Sequence, residues 1–224
     1  MGSAQINSDG AGGQGLNMAY TTPFTRFAIY LRVQPTTTSS TFQVYLDIES
    51  SGNTSQSFVY YDTAGIAFNN NSTDTYIIPV ASVGTWYDVL IVRRGSVCDL
   101  WGKPAALSQW KLGGSPASPS FTPANIYCGR KPSAEASANR SPRIGKMVIF
   151  DQLIDAQSGM LESTARSLQN SQSVIFYNDW SDATNVQNDQ GPRGSTWTVV
   201  GTPAANENDP AFASPLSTLY GGML

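Results

Sequence analysis

Apolar and polar residues alternate with a period of two at several places along the chain. Phe27 to Val33 reads FAIYLRV, with Phe27, Ile29, Leu31 and Val33 on one face and Ala28, Tyr30 and Arg32 on the other. That is the pattern of a half-buried strand. Phe42 to Ile48 repeats it, and predicts Phe42, Val44, Leu46 and Ile48 inward. Trp86 to Arg94 is apolar on both faces in its middle, as a strand between two layers is. Shorter strand candidates are Ser57 to Tyr61, Gly65 to Phe68, Thr75 to Pro79, Val97 to Trp101, Ala124 to Cys128, Lys146 to Asp151 and Ser173 to Tyr177. Turn residues recur roughly every 8 to 15 positions, which suits a two-sheet sandwich or jelly roll. The helical exception is 156–169, where Asp155 is a good N-cap and Leu161, Ala165 and Leu168 fall on one stripe.

The predicted fold is therefore all-β: an antiparallel two-sheet sandwich with one short α-helix. Residues 1–19 read as a flexible Gly-rich arm and residues 20–203 as the sandwich. Residues 204–224 read as a C-terminal arm carrying Phe212, Leu216, Leu219, Tyr220, Met223 and Leu224. A length of 224 residues suits one such domain, large enough to fold without disulfide staples.

The chain has no histidine. That removes Ser-His-Asp and Cys-His catalysis and every zinc site that needs imidazole. The net charge of −3 gives no reason to expect nucleic acid as a partner. The basic residues Arg130, Lys131, Arg140, Arg143 and Lys146 read as a solvated loop, or as a contact for an acidic surface. Cys98 and Cys128 both sit in apolar strand-like settings, where two buried thiols or a single bridge would fit. No apolar run approaches the roughly 20 residues of a membrane span, and the N-terminal MGSAQINSDGAGGQG lacks the features of a signal peptide.

The run TWYDVLIVRRGSVCDLWG and the later RIGKMVIFDQLIDAQSGMLE resemble the laminin-G-like, concanavalin A-like sandwich family. The matching pieces are Trp86, Trp101-Gly102 and Ile144 to Asp155. The segment Asp179 to Pro203 resembles the opening strand of such domains, moved to the end of the chain. The resemblance implies a binding or assembly fold. It also raises calcium, a frequent ligand in that family, held by oxygen-rich loops. Asn69, Asn71 and Asp74 make one such loop here, and Asp179, Asp182 and Asp189 another; the same residues also suit ordinary turns.

Sugar recognition needs aromatic rings to stack on and polar groups to bond hydroxyls. Tyr45, Tyr60, Tyr61, Trp101 and Trp110 are the candidate glycan-binding rings, whereas Trp86 and Trp197 fit core patterns. Tyr45, Asp47 and Glu49 resemble the E-x-D-x-E strand of concanavalin-like retaining glucanases, where three acids share one face. Asp47 and Glu49 match the second and third positions, but Tyr45 replaces the nucleophile. No catalytic residue is therefore expected. A hydroxyl-rich surface without an export signal points to a non-catalytic virion-surface protein of a bacterial virus, such as a capsid decoration or tail component. Its partners would be copies of itself, other virion subunits and host glycans, with no membrane involved. The alternative is a carbohydrate-binding lectin module on a cell surface or secreted, and further off a glycoside hydrolase.

Overall fold

The computed structural model describes residues 3–5, 15–23, 26–37, 42–51, 54–70, 73–117, 122–130, 142–151, 174–178, 180, 186–201 and 204–206. Among the described residues fifteen strands run in chain order: β1 (Ser3–Gln5), β2 (Gly15–Ala19), β3 (Arg26–Gln34), β4 (Gln43–Ser50) and β5 (Thr54–Asp62); β6 (Gly65–Asn70), β7 (Thr73–Pro79), β8 (Tyr87–Arg94), β9 (Val97–Pro104) and β10 (Lys111–Gly114); β11 (Asn125–Cys128), β12 (Arg143–Phe150), β13 (Val174–Asn178), β14 (Thr198–Val200) and β15 (Ala204–Asn206). They form two antiparallel sheets. The first has the order β10-β9-β8-β3-β12-β1-β15, with β13 also paired to β12; the second has the order β14-β2-β11-β4-β5-β6-β7. The all-β sandwich expected from the alternation is present. The helix expected at 156–169 lies outside the described residues.

The inner faces meet in one large apolar core. The first sheet supplies Phe27, Ile29, Leu31, Val33, Val89, Ile91, Leu100, Ile144, Met147 and Ile149; the second supplies Leu16, Met18, Leu46, Ile48, Val59, Ile66, Phe68 and Ile126. β3 is buried on both faces rather than one, because Ala28 and Tyr30 join a second apolar cluster on the outer face with Leu90, Val92, Val148, Phe150 and Tyr177. Cys98 and Cys128 are both buried thiols outside any disulfide, one in each sheet.

The reading of residues 1–19 as an arm needs correction. Ser3–Gln5 pairs with β12 and β15, and Gly15–Ala19 lies between β11 and β14 with Leu16 and Met18 in the core. Glycine content hid a strand whose apolar positions are only Leu16 and Met18. At the other end, Ala204–Asn206 continues the first sheet beside β1, and the remainder of the predicted arm lies outside the described residues. The segment expected to close the sandwich does so through β14, with Trp197 buried just before it.

One edge of the sandwich is closed by glycine. A Cβ on Gly113 of β10 would lie 2.7 Å from the Ile77 Cα and 2.8 Å from its carbonyl oxygen, so two edge strands of different sheets meet backbone to backbone. Gly102 of β9 faces the Ile78 side chain in the same way, at 2.6 Å. Gly113→Ala should therefore force β7 and β10 apart and lower unfolding stability by about 1–3 kcal/mol. Denaturant melts of this variant against Ser96→Ala, in the β8–β9 turn, check it. Equal stability of the two would show that the seam yields without cost.

Candidate functional site

β4 carries an extra residue. Val44 pairs with Tyr60 but Leu46 pairs with Val59, so Tyr45 is a bulge. A one-residue insertion exchanges the faces of everything beyond it. Phe42 and Val44, expected inward, lie on the outer side, Val44 in a small cluster with Phe58, Tyr60 and Ala67. Leu46 and Ile48 do point inward, and Tyr45 joins them in the core. The predicted row of Tyr45, Asp47 and Glu49 on one face is thus broken: the first faces the core and the other two face out. Burial pushes the Tyr45 hydroxyl well above its ordinary pKa, with Tyr61 and Tyr87 adding to the shift.

The outer face of the second sheet gathers residues from four strands. The Phe42 and Tyr60 ring centroids stand 4.9 Å apart, edge to face, and Phe58 stacks 5.1 Å from Tyr60. Tyr76 of β7 packs against this cluster. Around the rings lie three polar groups. Tyr76 donates its hydroxyl to Asp62 at 3.0 Å, Asn69 donates to Asp74 at 2.6 Å, and Tyr60 hydrogen-bonds Asp74. Burial, with the Asp74 charge beside it, raises the Tyr60 hydroxyl's pKa. Phe42 is 37% exposed and Tyr76 is half-buried. Sequence reasoning proposed Tyr60 as a sugar ring and Asn69 and Asp74 as metal ligands; the register places all three in one patch, but Tyr60 is buried there at 2% exposure and offers no open face. It missed Phe42, Tyr76 and Asp62. The hairpin turn at Asp62, whose carboxylate accepts from Ala64 N and Gly65 N, was the available signal, because it fixes the pairing that brings these strands together.

Further along the same face lie Asp47 and Glu49, both fully buried. Asp47 is opposite Phe58 and Tyr127, and Glu49 is opposite Asn125. Both oxygens of Glu49 are buried without a hydrogen-bond donor, and so is Oδ1 of Asn17, which sits opposite Tyr127. Removing a carboxylate from water without donors costs several kcal/mol. Glu49 carries that cost without a hydrogen bond to offset it.

Of the other proposed sugar rings, Tyr45 and Tyr61 are core residues and offer no face to a ligand. Trp101 and Trp110 come together on the outer face of the first sheet. There Trp110 meets Tyr30 edge to face at 6.5 Å and takes Lys103 Nζ over its ring at 5.3 Å. Beneath them Asp88 is fully buried. It accepts from the Tyr30 hydroxyl (2.9 Å), from Arg32 Nε and Nη2 (2.7 and 2.9 Å) and from Lys103 Nζ (2.8 Å). Here the charge is matched by its neighbours, and the two indoles lie above a closed ion cluster.

The second predicted calcium loop is differently employed. Asp189 accepts from Tyr177 N, Gly191 N and Ser195 N at 2.9, 2.8 and 2.6 Å, so its oxygens organise the loop itself. Asn71, Asp179 and Asp182 lie outside the described residues. Among the described residues no three acidic or cysteine side chains converge on a common point. Two open cavities are described, about 280 Å³ beside Gln34, Val83 and Arg143 and about 210 Å³ beside Asp189 and Trp197. Neither adjoins the aromatic patch.

No protein-family model matches this sequence, and no curated protein does. Solved structures do match. The structure is similar to a heptameric SAP-like pentraxin from Limulus polyphemus, with a TM-score of 0.61 at 10% identity, covering 95% of this chain and 97% of the pentraxin. A proposed carbohydrate-binding protein from Bacteroides ovatus gives a TM-score of 0.57 at 9% identity, over 91% of this chain and 61% of that one. The extracellular region of zebrafish Gpr126/Adgrg6 gives 0.58 at 11% identity, over 92% of this chain and 26% of that one. The likeness is one of fold. This chain shares a two-sheet antiparallel β-sandwich with these proteins.

The Asp88 cluster sets an acid limit on the first sheet. Burial alone would raise the Asp88 pKa, but the Arg32 hydrogen bond and the charges of Arg32 and Lys103 outweigh it and hold the carboxyl below its ordinary value. A depressed folded pKa contributes stability that is complete above the unfolded value and lost as pH falls through the folded one. Asp88→Ala should cost about 3–5 kcal/mol at neutral pH, since it strands two buried cations. The loss relative to wild type should shrink as pH falls below the ordinary aspartate range. Urea melts across pH check both; a penalty independent of pH would remove the ion cluster as its cause.

Proposed function

We propose that this protein is a non-catalytic, lectin-like binding module that recognises glycans on the outer face of its second sheet. The observation that carries the proposal is the patch of Phe42, Tyr60 and Tyr76 rimmed by Asp62, Asp74 and Asn69. The partly open rings of Phe42 and Tyr76 offer stacking to the C–H faces of a sugar, with Tyr60, only 2% exposed, packed against Phe42 as their support, while carboxylate and amide groups bond its hydroxyls. The fold shared with a proposed carbohydrate-binding protein supports the same reading. A non-catalytic role is favoured by the placement of the glucanase-like acids. Tyr45 is in the core, and Asp47 and Glu49 are enclosed rather than flanking an open cleft. Self-association belongs to the proposal too, and the pentraxin that shares this fold is heptameric. A virion setting gains no support from these neighbours, and the proposal stops at the binding module.

A glycan array of the purified protein, in calcium and in chelator, tests the proposal. A saturable hit should weaken roughly tenfold or more in Tyr76→Ala, a change equivalent to about 1.4 kcal/mol, and survive in Trp110→Ala. The opposite result would move the site to the first sheet. A blank array would overturn the glycan reading and favour a protein partner.

A further inference from the structure

Charge is divided between the two sheets. The seven strands of the second sheet contain no lysine or arginine and four acids, Asp47, Glu49, Asp62 and Asp74. The strands of the first sheet carry eight lysines and arginines against two acids, Asp88 and Asp99. Aromatic rings follow the same division. On the first sheet Lys103 Nζ stands 5.3 Å over the Trp110 ring, and Lys146 Nζ stands 4.9 Å over the Tyr177 ring. On the second, Arg130 covers Tyr127 of β11 at 5.5 Å, but β4, β5 and β6 separate that strand from β7 and Tyr76. Among the described residues no cation stands over Phe42 or Tyr76. Beside these two rings lie carboxylates whose described donors are neutral. Asp62 accepts from the Tyr76 hydroxyl, Ala64 N and Gly65 N; Asp74, an exposed residue, accepts from Asn69 and Tyr60.

We propose that the outer face of the second sheet selects sugars bearing a free, protonated amine (deacetylated amino sugars) over neutral and anionic ones, with Asp74 and Asp62 as the selecting residues. The proposal rests on the glycan reading of this patch and names the class of sugar. An ammonium is attracted to the face of an aromatic ring, and it forms shorter, stronger hydrogen bonds with carboxylates than with neutral acceptors. Phe42 and Tyr76 offer the first kind of contact, and Asp62 and Asp74 the second. N-acetylation removes the charge and both attractions with it. A sulfate or a uronate would meet acids on this sheet and no base in its strands, so the same residues that attract an amine reject an anion.

Titration calorimetry with an oligomer of glucosamine and with its N-acetylated counterpart, each at low and high salt, tests the proposal. Wild type should bind the free-amine oligomer roughly tenfold more tightly or better, and added salt should narrow the difference. Asp74→Asn keeps an acceptor for Asn69 and removes the charge, so the ratio between the two oligomers should fall toward one. Asp62→Asn, a residue that suits the same turn, should act in the same direction and serves if Asp74→Asn does not fold. A sulfated oligosaccharide should not bind wild type. Equal affinity for the two oligomers, a neutral sugar bound more tightly than the free amine, or tighter binding of the sulfated one would overturn the proposal and leave the glycan reading standing. So would a preference that survives in both variants, which would put the selecting charge elsewhere. If no sugar binds, the glycan reading falls with the proposal, and binding of a lysine-rich peptide instead would give the patch to a protein partner.

Discussion

A strand has two faces, and a single unpaired residue exchanges them. In β4 that residue is Tyr45, and the character of the whole second sheet follows from it. Upstream of the bulge, Val44 faces out and builds the aromatic patch with Phe58, Tyr60 and Ala67. Downstream, Leu46 and Ile48 face in and complete the core, which releases Asp47 and Glu49 to the outer side. Without the extra residue, strict alternation could not place both the apolar patch and the paired acids on one face while keeping Leu46 and Ile48 in the core. The bulge also takes Tyr45 out of any row with the two acids, and a glucanase-like constellation goes with it.

Three acids in this fold meet three different fates. Asp88 is surrounded by donors and stays ionised at the centre of an ion cluster. Asp189 spends its oxygens on three backbone amides and shapes a loop. Glu49 has neither kind of neighbour. The difference is one of register. Asp88 sits between Arg32 and Lys103 on adjoining strands, while Glu49 sits across from Asn125. Strand pairing thus decides whether a buried carboxylate meets a donor.

Much of the sandwich was legible in the chain because its period-2 runs are long. β3, β8 and β12 carry enough apolar residues for the pattern to override local noise, and Trp101-Gly102 with the Ile144 segment named the fold type. β1 and β2 were not legible, since short Gly-rich strands leave too few positions to show alternation; their place is set by the neighbours they pair with. The bulge was not legible either, because a sequence read on its own carries no count of the residues on the opposing strand. That one omission misplaced Phe42, Val44 and Tyr45 together. The site residues proposed as separate sets, Tyr60 for sugar and Asn69 and Asp74 for metal, were correct about composition and silent about proximity. Proximity depends on the pairing of β5, β6 and β7, which also delivered Tyr76 and Asp62.

The glycine contact between β7 and β10 has a consequence for how copies of this molecule can meet. Outermost strands are where sheets recruit further chains and where β-proteins risk polymerising. Here the two outermost strands on one side press against each other, so the sandwich is bound there like the spine of a book. Among the described residues the opposite ends of the two sheets are β14 and β15. The two flanks of the sandwich therefore differ: on one of them a backbone contact between the sheets occupies the place where a further strand would approach.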